Sequence, residues 1–174
     1  MPASWSGCST LIGHSDGSAS TDKAHLKVSN HHNFFDGSRQ RHPRVRFGEP
    51  AHVYNNYFRS NDLYGVASTM DAGVLVEGNY LENVPHPILV GYGDSGPGWV
   101  VQRNNIFAGS GAPQTAGTVQ EPRSYYSCTL DNATDAAHRP CGRGRRPDLR
   151  ASVSGPAAPR VTSRRSSCPA PGTA

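Results

Sequence analysis

Hydrophobic and polar positions along the chain follow a repeat rather than a helical stripe. Four segments, Val28 to Phe35, Ala51 to Phe58, Val74 to Leu81 and Val100 to Phe107, share one pattern. Each opens on a small or β-branched residue and runs through four variable positions. It then reads Asn, an aromatic or aliphatic residue, and Phe or Leu. The Asn residues fall at 33, 56, 79 and 105, at spacings of 23, 23 and 26. A period near 23 is compatible with a leucine-rich repeat or a parallel β-helix. The chain is poor in Leu, which disfavours the first. Short runs such as Val53-Tyr54, Gly73 to Val76 and Trp99 to Val101 are strand-like. The Gly and Asn between them tolerate the left-handed backbone of a corner. Asn stacked at one corner of successive coils forms a hydrogen-bonded ladder. A second strand per coil lies in Val45 to Phe47, Gly65 to Ser68 and Ile88 to Val90. The fold expected is all-β, a partial parallel β-helix of about five coils, roughly 24 Å tall at about 4.8 Å per coil.

Composition narrows this further. With 35% hydrophobic residues and 19 Gly the chain does not suit a helix bundle. No stretch approaches the roughly 20 apolar residues of a membrane helix, so no membrane partner is expected. The net charge of +4 is unevenly spread. Residues 139–174 hold eight Arg against Asp148 alone, and residues 1–138 carry twelve acids against nine Lys and Arg. The body is therefore mildly acidic and a poor nucleic-acid binder. Two regions are expected, a β-helix over 1–138 and a disordered Arg/Pro/Gly/Ala-rich tail over 139–174. No signal peptide is recognisable at Met1 to Gly7, and the chain reads as beginning inside a repeat array.

Polar chemistry concentrates between His31 and Asn56. After Pro43, alternation puts Val45 and Phe47 on the core face and Arg44 and Arg46 on the outer one, with Arg41 brought beside them by the preceding turn. Clustered guanidinium groups on one sheet face suit a carboxylate or phosphate ligand. The bland alternative is a solvated surface paired with Asp36 and Glu49. The eight His fit no zinc spacing, and adjacent His31 and His32 should point to opposite faces of a strand, so no metal site is expected from them. Cys8, Cys128, Cys141 and Cys168 form no CxxC pair, and no Gly-x-Ser-x-Gly nucleophile motif is present.

Four motifs in order resemble the pectate lyases of polysaccharide lyase family one. They are Leu11-Ile12-Gly13-His14-Ser15-Asp16, Val28 to Phe35, Arg41-His42-Pro43-Arg44-Val45-Arg46-Phe47-Gly48, and His52 to Phe58. The likeness extends through Tyr80 and Phe107 and fades near Asp131. The resemblance implies a right-handed parallel β-helix and a secreted, monomeric enzyme. It implies calcium-dependent cleavage of polygalacturonate, or pectin, by β-elimination. Arg41 falls on the family's catalytic base and Arg46 on a ligand of the substrate carboxylate. Arg44, beside it on the outer face, is a further substrate-binding candidate. Cys8 stands where the family has a substrate-binding Lys. The family's calcium-ligating acids lie on coils preceding residue 1, so no metal ligand is expected here. The chain is accordingly read as the C-terminal part of such a lyase, impaired on its own. A non-catalytic remnant that binds acidic polysaccharide is the alternative.

Overall fold

A computed structural model describes residues 7–138. The tail expected over 139–174, and with it the boundary at 138, lies outside the described residues. Strands follow one another around a column, three to a rung. The first rung is β1 (Leu11–Ile12), β2 (Val28–His31) and β3 (Phe34–Asp36), with a single-turn helix α1 (Ala19–Asp22) after β1. The second is β4 (Arg44–Arg46), β5 (Ala51–Tyr54) and β6 (Tyr57–Arg59). The third is β7 (Val66–Thr69), β8 (Gly73–Glu77) and β9 (Tyr80–Glu82). The fourth is β10 (Ile88–Val90), β11 (Trp99–Arg103) and β12 (Ile106–Ala108), and a short α2 (Ala133–His138) follows. The rungs stack into three parallel sheets, β1-β4-β7-β10, β2-β5-β8-β11 and β3-β6-β9-β12. This is the parallel β-helix that the repeat implies. It has four strands per sheet where the sequence suggests about five coils, and three strands per coil rather than two.

The third strand comes from a bend inside each repeat. The residue before the ladder Asn is left-handed in every rung: His32, Asn55, Gly78 and Asn104 have φ between 50° and 64°. That single residue turns the chain from the second sheet to the third. Side-chain alternation on both sides then fills one core. Val28, Ala51, Val74 and Val100 stack in register from the second sheet. Phe35, Phe58, Leu81 and Phe107 stack from the third. Val45 and Ile88 close the core from the first sheet.

The Asn ladder is present along the whole bend. Asn33 Nδ2 donates to Asn56 Oδ1 at 3.0 Å, Asn56 to Asn79 at 3.1 Å, and Asn79 to Asn105 at 2.9 Å. Each accepting Oδ1 also takes the backbone N–H of the Asn one rung below. These bonds satisfy the polar groups that a buried corner would otherwise strand. No helix among the described residues is long and apolar enough to cross a membrane.

Candidate active site

The first sheet carries the arginines. Arg41 precedes β4 in a left-handed conformation (φ 68°), and its carbonyl accepts from Thr10 N at 2.7 Å. The next residue anchors it. His42 is fully buried, its backbone N–H bonded to Gly65 O, and its ring Nδ1–H donates to Tyr64 O at 3.1 Å. That tautomer leaves Nε2 to accept from Ser38 Oγ at 2.8 Å. Burial holds the ring's pKa below the ordinary histidine value, against the opposing hydrogen bond to Tyr64. Arg41 is thus presented by a rigid base, and its Nε is buried without a protein partner.

Val45 points into the core as expected, at 0% exposure, whereas Phe47 follows the end of β4 with a left-handed backbone (φ 58°) and is buried, at 4% exposure, outside the core cluster. Arg44 and Arg46 share the outer face, yet neither forms a solvated patch. Arg44 is only 7% exposed. Its guanidinium lies over the Tyr92 ring, 5.4 Å from the centroid, and donates to Tyr92 O and Ser95 Oγ in the loop after β10. Its register neighbour is the small, buried Ala67 of β7, which leaves room for that crossing. Burial, with Arg46 beside it, pushes the Arg44 pKa down. Arg46 Nε donates to Asp16 Oδ1 at 2.5 Å. The expected partners are elsewhere: Asp36 binds Arg59, and Glu49 accepts from Gln120 N. Outward from the solenoid core therefore does not mean exposed, because loops from neighbouring rungs fold back over the strand.

Cys8, at the lysine position of the resemblance, is exposed and bridges to Gln40, one residue from Arg41. Tyr64 lies fully buried under this face, its ring 4.7 Å from that of Tyr92. Burial pushes its phenol up to about 12, although Arg44 and Arg41 oppose the shift.

Calcium, implied by the resemblance, finds no matching donor set. Among the described residues no group of three or more His, Cys, Asp or Glu is arranged to hold a metal ion. The carboxylate at the arginine face, Asp16, is engaged by Arg46 and Ser95. One sequence expectation about histidines is corrected. His31 and His32 do not diverge, because the left-handed turn at His32 brings their Nδ1 atoms to 2.8 Å.

A second polar cluster, on the outer face of the second sheet, was not anticipated. Glu77 and His52 are each 1% exposed. His52 Nε2–H donates to Glu77 Oε1 at 2.8 Å, and Tyr126 O–H donates to His52 Nδ1 at 2.5 Å. Arg103 Nε and Arg123 also donate to Glu77, and Arg103 forks onto Glu121. These contacts clamp the segment around the 3₁₀ turn Pro122–Ser124 onto the sheet. The signal for them was register: Tyr54, Glu77 and Arg103 stack in one column, each two residues before a ladder Asn. Burial pushes the His52 pKa down despite Glu77, so the ring is neutral and its contact is a hydrogen bond to an anion. Burial also pushes the Glu77 carboxyl up, but Arg103 and His52 outweigh it and the net shift is downward.

Both shifts make acid destabilising. A group whose folded pKa is depressed stabilises the fold above its unfolded pKa and loses that contribution as pH falls. The thermal midpoint is therefore expected to hold above about pH 6.5 and to fall below it, with a second loss below about pH 4.3. His42 and His31, also depressed, add in the same direction. A melt series from pH 8 to 4 checks this, and a midpoint that stays flat or rises on acidification contradicts it.

The fold and the site together define a four-rung parallel β-helix with arginines along one face of its first sheet. Comparison with known proteins sharpens this, because residues 6–138 match the family model described as Pectate lyase. The chain belongs to the pectate lyase family. It is 38% identical over 117 residues to a pectate trisaccharide-lyase of Bacillus licheniformis, covering 67% of this chain and 33% of that protein. It is 34% identical over 117 residues to a probable pectate lyase A of Aspergillus fumigatus, covering 67% and 35%. The chain thus spans about a third of the length of these curated relatives. Among solved structures it resembles a pectate lyase from Bacillus sp. N165 in complex with trigalacturonate. The TM-score there is 0.60 at 27% identity, over 74% of this chain and 42% of that one. A variant pectate lyase from Xanthomonas campestris gives 0.61 at 26%, over 74% and 42%.

Proposed function

We propose that the arginine face of the first sheet meets a galacturonate unit of polygalacturonate or pectin and serves its cleavage by β-elimination, outside the cell and as a monomer. The observation that carries this is the pairing of a rigidly presented Arg41, whose buried Nε has no protein partner, with an Arg46 fixed two residues beyond β4's first residue. In the reaction the C5 proton leaves to the base, its electrons form the C4–C5 double bond, and the C4–O4 bond breaks. Arg41 would take the C5 proton. The N–H groups of Arg46 not engaged by Asp16 would bind the uronate carboxylate in bidentate fashion. Arg44, directed onto Ser95 and Tyr92, would act behind them rather than on the sugar.

A guanidinium is a base only when deprotonated, and its ordinary pKa exceeds about 12. Product formation is therefore expected to rise toward alkaline pH. Turnover by this chain alone is expected to be low, since the described residues offer no donor set for calcium. The test is ultraviolet detection of unsaturated uronate from polygalacturonate at alkaline pH, with calcium and with chelator. Calcium-dependent product supports the lyase. Salt-sensitive binding of the polymer with no product supports the non-catalytic binder, which Cys8 at the lysine position favours. Neither product nor binding defeats both.

A further inference from the structure

We infer that Asp16 and Ser95 are positioning residues that preset Arg46 and Arg44 for an acidic sugar, a relay that rests on the proposed uronate site and deepens it. Asp16 sits in the loop after β1, 30 residues from Arg46 and 79 from Ser95. One carboxylate oxygen accepts from Arg46 Nε and the other from Ser95 Oγ, both at 2.5 Å. Ser95 Oγ in turn accepts from Arg44 at 2.5 Å. A single carboxylate thus ties together three rungs and two guanidinium groups that leave the same strand two residues apart. Those hydrogen bonds, Ser95 first and Arg46 next, also hold the Asp16 carboxyl below the ordinary range.

The loop is built to reach there. At Gly13 (φ 87°) an added Cβ would lie 2.6 Å from Arg46 O, so only glycine lets the Asp16 loop pass against β4. The other end is fixed by Tyr92, whose carbonyl takes Arg44 and whose ring stacks beneath it and against Tyr64. Engaging Arg46 through Nε leaves the end-on edge between its two terminal nitrogens, a pair that can fork onto a second carboxylate. Pre-orienting a long, rotamer-rich side chain removes an ordering cost that the sugar would otherwise meet on binding. Asp16 also cancels one positive charge, which lets two guanidinium groups share one strand face.

Charge and position predict opposite results, which makes the relay testable. By Coulomb attraction alone, Asp16→Asn makes the face more positive and should tighten binding of a uronate. A positioning role predicts that Asp16→Asn and Ser95→Ala each weaken trigalacturonate binding, by about tenfold, measured by calorimetry on the full chain. The Arg46 Nε–H proton resonance supplies a readout independent of sugar: it should be downfield and slowly exchanging in the unsubstituted chain and lost in Asp16→Asn. Unchanged thermal midpoints certify that the variants fold. Tighter or unchanged binding in Asp16→Asn, with the Arg46 signal lost, overturns the positioning role. A protected Arg46 signal in an unsubstituted chain that binds no trigalacturonate overturns the uronate site itself, and that result is separable because the ion pair is seen without ligand.

Discussion

Arg41→Ala is expected to lower the formation of unsaturated product by about 10²–10⁴-fold, the range that a positioned proton acceptor contributes. His42, buried and locked by Ser38 and Tyr64, fixes the backbone beside Arg41, and no protein group saturates the Arg41 Nε. The Arg41 side chain also meets the buried Tyr64 phenol, so an unchanged thermal midpoint in the variant is the control that separates lost chemistry from lost packing. Arg46→Ala should behave differently, raising KM more than it lowers kcat, since Arg46 would bind the carboxylate in ground and transition state alike. Initial rates over a range of polygalacturonate concentrations separate the two. Equal losses from both variants, or retained activity in Arg41→Ala, would show that the base lies elsewhere.

The largest stability effect is expected inside the Asn ladder. Asn79 is fully buried and bonds in both directions along the column. Its Oδ1 takes Asn56 N–H and Asn56 Nδ2, and its Nδ2 reaches Val53 O, Glu77 O and Asn105 Oδ1. Asn79→Leu strands several of these groups away from water, at about 1–3 kcal/mol for each buried group left unsatisfied. A total loss of about 3–5 kcal/mol is expected, a large share of a domain's usual 5–15 kcal/mol. Asn33→Leu, at the exposed first position of the same ladder, should cost about 1 kcal/mol, within the span of a single net hydrogen bond. Urea unfolding of both variants measures the contrast. Equal losses would show that the ladder does not stabilise through buried satisfaction.

How much of this was legible in the sequence depends on whether the signal repeats. The Asn at 33, 56, 79 and 105 and the inward Val and Phe residues recur at one register, so the solenoid could be read directly. The split into three strands could not, because the left-handed residue that makes it is His32, Asn55, Gly78 or Asn104, three residue types over four rungs with no constant letter to mark the bend. Arg41, Arg44 and Arg46 were identifiable from one short stretch. Their partners were not: Asp16 and Ser95 lie in loops that obey no repeat, and only the folded column brings them to the same strand. The same limit hid the clamp at Glu77. His52 and Arg103 sit at register positions, but Tyr126 and Arg123 come from a segment outside the repeats.

An acidic sugar is expected to bind at the Arg41–Arg46 face. Titrating trigalacturonate into the isotopically labelled chain and following backbone amide shifts tests it most directly. Shifts concentrated over Arg39 to Arg46, with Asp16 and the Tyr92–Ser95 loop moving alongside, are the predicted result. Shifts confined to the clamp around Pro122–Ser124, or absent at millimolar sugar, would contradict it.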